Sequence, residues 1–470
     1  MRSPPALTAF LLALAACQAP APAQKPSKEL AQVAAAYAAK VTASAIFVSG
    51  RTLDSVLAQE LAPTRPLEAL IKPFLRFDVD REAKTVTCRL GQAKVTAQLH
   101  TCLGCSLVAS DRAPSDELHQ FVVEPRDRMA AQPDQLWPHT ETVAKRTTTG
   151  IDHEALELAI DRAFAERPGK KPIHTRAVVV VHKGHLVAER YADGFHKDMP
   201  LAGWSMTKTL TNALIGMRVG DGKFDLSRAF REQPPKTGFA QPTVNNLLTM
   251  TAGLRWNEDY DDPNSDAVRM LFGSADHGAT YVDQAQTTRP GQQFVYASGA
   301  TNLLCKLLRG SFANDEEYWS QPARLFAQLG MQTAVLETDP SGTFVGSSYG
   351  FASARDWARL GLLYQQDGTF FGKRVLPEGW VQQSTTATKA SNGRYGSQIW
   401  LNAEPPKESG MARKWPDLPA DLFSMDGHEG QYCVISPKAQ LVIVRLGCTK
   451  NGGFDLRGFL RDVHAAAAAR

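Results

Sequence analysis

Hydrophobic positions change their period several times along the chain, and each change marks an element. Leu30, Val33, Ala34 and Tyr37 recur at helical spacing and predict a short amphipathic helix with one apolar stripe. From Leu75 to His100 apolar and polar positions alternate as in strands, with Arg81 to Lys84 as a turn between two of them. Helical periodicity returns over Asp152 to Glu166 and stops at Gly169-Lys-Lys-Pro172. Ala177 to Val181 and Leu186 to Tyr191 then read as antiparallel strands joined by the turn His182-Lys-Gly-His185. The first is apolar throughout, as expected of an interior strand covered on both faces. Near the other end, Gln431 to Ile435 and Leu441 to Leu446 form a second hairpin around Pro437-Lys-Ala. Strands at both ends with mostly helical patterns between them predict an α+β fold. One antiparallel sheet would be closed by the two chain ends and flanked by helices, with a helical subdomain beside it.

Composition adds boundaries. A chain of 470 residues exceeds what one hydrophobic core usually serves. Its 43% apolar and 21% charged residues exclude a disordered, collagen-like or coiled-coil chain. The net charge of +4 is small and scattered, so no nucleic-acid partner is expected. No run approaches the ~20 apolar residues of a bilayer-spanning helix, which excludes a polytopic membrane protein. Pro125 to Thr149, rich in Pro, Gln and Thr, places a boundary near residue 148. The expected organisation is a signal peptide at 1–16, a linker at 17–29, a small N-terminal accessory region at 30–148 and a main domain at 149–470. The accessory region carries no constellation with chemical meaning, and packing or positioning is its default role.

The apolar run Ala6 to Ala16 follows Arg2 and reads as a signal peptide. Its end, Leu14-Ala-Ala-Cys17, resembles the bacterial lipobox, which implies lipidation of Cys17 and a membrane partner through that anchor. Gln18 then suggests, by analogy, an outer-membrane lipoprotein facing the periplasm. Cys88, Cys102, Cys105, Cys305, Cys433 and Cys448 could form up to three disulfides in such a compartment, in any of 15 pairings. Cys102-Leu-Gly-Cys105 lacks both a thioredoxin-like surround and a second ligand pair, so packing or a local disulfide with Cys88 is expected rather than zinc. His182 and His185 alone would make a poor metal site.

Three segments carry candidate chemistry. Ser205 stands before a helix whose stripe is Met206, Leu210, Ala213, Leu214 and Met217, with Gly220 as its natural C-cap. Lys208 lies three residues on and projects from the same side. A serine hydroxyl is a poor nucleophile until a neighbour takes its proton, and a buried lysine with a lowered pKa can do so. The second segment, Pro290 to Ser298, delivers Tyr296 just before a helix. Near a protonated lysine a phenol can ionise well below ~10 and serve as base, while Ser298 could relay protons or bind Lys208. The third is Asp426-Gly-His428-Glu-Gly430-Gln431. There the glycines allow close approach, the Gln431 and Ser205 amides could hold an oxyanion, and His428 could orient the acyl group or shuttle a proton.

Ser205-x-x-Lys208, Tyr296-x-Ser298 and His428-x-Gly430 resemble, in order and context, the three motifs of the serine β-lactamase and penicillin-binding-protein superfamily. The nearer match is its class C-related branch, which includes family VIII esterases and 6-aminohexanoate-dimer hydrolases. Leu247 to Leu254, Ala352 to Tyr364 and Gly372 to Trp380 support it, over roughly 150 to 465. The resemblance implies a β-lactamase/transpeptidase-like fold in 149–470, Ser205 as acylated nucleophile, Lys208 and Tyr296 as activating pair and Gln431 as amide donor. It implies no metal or organic cofactor, and a small ester or amide as substrate. His428 stands where penicillin-recognising members usually carry a Lys that grips the antibiotic's carboxylate, which argues against strong β-lactamase activity. Two other readings compete with a serine esterase or amidase. One is a non-catalytic or DD-peptidase-like envelope protein that binds peptidoglycan peptides. The other is a Ser205/His428 pair completed by an aspartate.

Overall fold

Helix α1, Lys28–Phe47, is longer than the short helix its stripe predicts. The stripe is only part of it: Ala31, Ala35, Ala38, Ala39 and Ala43 recur on another face and are buried. Alanine is the strongest helix former, and its small side chain lets helix and sheet approach closely. The sheet beneath is an antiparallel meander of β1 (Arg76–Asp80), β2 (Thr85–Leu90), β3 (Ala93–His100) and β4 (Gly104–Leu107). Val86, Cys88, Leu90, Val95, Ala97 and Cys105 point from it into one core with the alanine face. By length and composition alone α1 could cross a membrane, yet much of it is buried in this unit. This computed structural model describes residues 27–63, 66–108, 137–139, 150–231, 238–370 and 372–468. The signal peptide, Cys17, nearly all of the linker and the boundary near 148 lie outside them.

Of the possibilities that the sequence leaves open for the cysteines, no disulfide forms among Cys88, Cys105, Cys305, Cys433 and Cys448, which are free thiols. Cys88 and Cys105 serve as small apolar core residues, and Cys102 is exposed at a turn with φ 62°.

The larger sheet joins the chain's two ends as predicted. Its order is Trp400–Leu401, Phe423–Gly427, Gln431–Ser436, Leu441–Gly447, β5 (Thr175–His182) and β6 (His185–Tyr191), all antiparallel. Leu441 pairs with His182 and Val444 with Val179. All eight residues of β5 are buried because both faces are covered. Ala177, Val179 and Val181 pack with Trp357 and Leu360 of the helix Ala354–Gln365. Val178 and Val180 meet Leu156 and Ile160 of the helix His153–Phe164, and Leu460 and Val463 of Leu456–Ala468. Lys183 and Gly184 close the β5–β6 hairpin with φ of 51° and 79°, the left-handed pair of a two-residue type I′ turn.

The N-terminal unit is docked on the larger one through buried charges. Glu337 receives Lys40 Nζ, Ser44 Oγ at 2.9 Å and the Cys105 amide at 2.8 Å. Glu60 binds Arg51 and, at 2.6 Å, Arg176 of β5. The two units also share apolar core, since Tyr37 stacks edge-on against Phe272 at 5.3 Å.

Candidate active site

Ser205 lies in a single 3-10 turn, Trp204–Met206, that runs into the helix Thr207–Gly220. Thr207 Oγ1 donates to the Trp204 carbonyl at 2.6 Å and accepts from the Gly350 amide at 2.9 Å, which pins the turn. Trp204 has φ 48°, an uncommon conformation for a bulky residue, held by ring contacts with Tyr349 and His428. Gly203 is required before it, because a Cβ there would lie 2.2 Å from the Trp357 ring. Gly220 is the last helical residue rather than the cap; Asp221 caps the helix.

Lys208 is buried, and its Nζ donates to Ser205 Oγ at 3.1 Å, Ser298 Oγ at 3.1 Å and the Ser347 carbonyl at 3.0 Å. Burial pushes its pKa down to about 8, with the Glu258 carboxylate pulling weakly the other way. Ser298 begins the helix Ser298–Arg309, and its hydroxyl stands between Lys208 and Glu258.

The Tyr296 phenol lies near Ser205, whose hydroxyl favours its ionised form. Its ring is stacked on Trp400 at 5.2 Å and covered by Lys208 Nζ at 4.7 Å from the centroid. The predicted lowering of its pKa is reversed: burial, then Glu258, push the phenol well above its ordinary value. The ammonium faces the ring rather than favouring a phenolate, so the lysine is the group closer to neutral-pH titration.

The third segment meets the nucleophile turn through close backbone packing. A Cβ on Gly427 would lie 2.1 Å from the Gly203 carbonyl. Gly430 has φ 81°, and a side chain there would collide with Arg445, whose guanidinium donates to the Gly430 carbonyl at 2.7 Å. His428 is half exposed, with its ring 5.7 Å from Trp204 and 5.6 Å from Tyr260. His428, Gly430 and Ser205 line one cavity of about 520 Å³. Gln431 does not line it: its side chain is bonded to both backbone groups of Gly447, at 2.7 and 2.9 Å.

Glu258 and Tyr260 escaped the sequence analysis. Glu258 accepts from Trp256 Nε1 at 2.5 Å, Tyr260 Oη at 2.9 Å, Ser298 Oγ at 2.5 Å and the Ser298 amide at 2.9 Å. The one signal was the alternation Trp256-x-Glu258-x-Tyr260, an unusual density of polar-tipped aromatics around a carboxylate. Among the described residues no group of three or more His, Cys, Asp or Glu converges as metal ligands. The arrangement can transfer a proton from a hydroxyl to an adjacent amine inside a cleft, the first requirement of nucleophilic catalysis.

Comparison with known proteins agrees with this geometry. The Beta-lactamase family model matches residues 160–467, which contain all three segments. A 6-aminohexanoate-dimer hydrolase of Paenarthrobacter ureafaciens is 27% identical over 295 residues, covering 58% of this chain and 72% of that protein. Among solved structures, EstCE1, a hydrolase with promiscuous acyltransferase activity, superposes with a TM-score of 0.53 at 13% identity, over 67% of this chain and 99% of that one. A penicillin-binding-protein homologue from Caulobacter crescentus gives 0.51 at 16%, over 70% and 99%. The chain therefore belongs to the Beta-lactamase family, on the side of the serine β-lactamase and penicillin-binding-protein superfamily where the 6-aminohexanoate-dimer hydrolases lie.

Proposed function

We propose that this protein is an esterase or amidase that works through an acyl-enzyme on Ser205. The observation that carries the reading is the buried Lys208 amine, 3.1 Å from Ser205 Oγ and lowered to about 8. Neutral Lys208 takes the Ser205 proton as Oγ attacks the acyl carbonyl. Backbone amides at Ser205 and at the start of the strand Gln431–Ser436 are the candidates for holding the oxyanion. Tyr296, kept neutral by burial and close to Ser205, is placed to pass a proton to the leaving group. Water then releases the acid by the same relay in reverse. The hydrolase and esterase names of the relatives support an ester or amide substrate, and His428 in place of a lysine supports weak β-lactam turnover.

Export and lipid anchoring at Cys17 complete the proposal and rest on the sequence of residues 1–18. Radiolabelled palmitate incorporation in the intact chain, and its loss in Cys17→Ala, checks that part. For the chemistry, Ser205→Ala should lower p-nitrophenyl acetate hydrolysis by about 10³-fold or more while the protein stays folded. Wild-type rates in that variant would remove Ser205 from the mechanism.

A further inference from the structure

The stripe Leu30, Val33, Ala34 and Tyr37 lies at the edge of the core, with Val33, Ala34 and Tyr37 packed against it yet only partly buried. The sheet is packed by the alanines of α1, and the larger stripe residues remain half-buried, facing the cavity into which Ser205 opens. Apolar side chains held next to a nucleophile and left half-buried are what a substrate wall requires. Leu271 and Phe272 of the main domain line the same cavity, Phe272 edge-on to Tyr37. The volume of about 520 Å³ lies within the roughly 300–1,000 Å³ of small-molecule sites. Of the four acidic groups in its lining, Glu60 is matched by Arg51 and Arg176 and Glu429 by Lys450 at 3.7 Å, while Glu68 and Asp261 complete the set. Much of the rest of its lining is apolar.

We propose that the N-terminal unit is half of the substrate site, and that the cavity takes the long apolar chain of a lipid-like ester or amide. The proposal rests on acylation at Ser205 and adds the substrate class. The wall at residues 30–37 lies outside the 160–467 that match the family model. It gives the accessory region a direct part in binding, where the sequence assigned it packing or positioning.

The test is a p-nitrophenyl ester series from acetate to decanoate on the full chain. Each methylene that enters the cavity should raise kcat/KM by up to about fourfold, so decanoate should exceed acetate by about a hundredfold or more. Ala34→Trp, which fills the cavity from a helical position, should lower that decanoate-to-acetate ratio at least about tenfold. Val33→Ala, which enlarges it, should move the preferred length upward and serves if the tryptophan variant does not fold. Equal kcat/KM at every length, or an unchanged ratio in both folded variants, would overturn the proposal while leaving Ser205 catalysis intact. If no ester is turned over, the catalytic reading fails and the cavity is still testable by calorimetry with decan-1-ol. Saturable binding weakened by Ala34→Trp supports it, and no binding overturns it.

Discussion

Ser205, Lys208 and Ser298 form a line of hydrogen bonds that ends on Glu258, and each member sets the proton affinity of the next. Burial disfavours the Lys208 ammonium, and the nearby carboxylate restores part of its stability. Glu258→Gln should therefore move the midpoint of the kcat/KM pH profile toward lower pH, because the charge that favours the ammonium is gone. A midpoint moved upward would mean that Glu258 acts on another group. Tyr296→Phe should keep the fold, since ring stacking on Trp400 is retained, and should slow turnover by about 10²-fold or more if the hydroxyl relays protons. Ser205, Lys208, Tyr296 and Ser298 were legible in the sequence because each stands at a fixed offset from a helix start. Glu258 was not, because a lone carboxylate in a loop has no period. The direction of the Tyr296 shift was misjudged for a related reason: sequence places lysine and tyrosine together without saying whether the cation meets the oxygen or the ring.

At the level of elements, hairpins were the readable part. Alternation and turn residues located β5, β6 and the strands Gln431–Ser436 and Leu441–Gly447 to within a residue or two, because a turn of two or four residues leaves little freedom of register. Helix α1 was underestimated because alanine carries little apolar signal even where it makes the packed face. Its bulky stripe was correctly taken as helical, but that part of it lines a cavity shared with the neighbouring domain can be seen only with that domain in place. Gly430 shows how an element fixes the site. Its left-handed φ and contact with Arg445 predict that Gly430→Ala costs about 1–3 kcal/mol and displaces His428. Thermal melting and a change in KM check this, and an unchanged Tm with unchanged kinetics would contradict it.

At the scale of the molecule, the two units are joined by charges that have left water together. Glu337 is buried, and burial pushes its carboxyl up even though Lys40 opposes the shift. Removing one partner strands the other, so Lys40→Met should destabilise by about 3–5 kcal/mol. Limited proteolysis should then cut between the units faster than in the wild type; equal cleavage and equal Tm would show that the docking depends on other contacts. None of this pairing was legible in the sequence, since Lys40 and Glu337 are 297 residues apart and neither has a local signature.

The most direct measurement is the pH dependence of Ser205 labelling by a fluorophosphonate, followed by mass spectrometry in wild type and in Lys208→Ala. A lysine base with its pKa lowered to about 8 predicts a labelling rate that rises as pH increases, levels off above about pH 8, and collapses in the variant. A midpoint near the ~6.5 of an ordinary histidine, with labelling retained in Lys208→Ala, would contradict it and transfer the proton to His428.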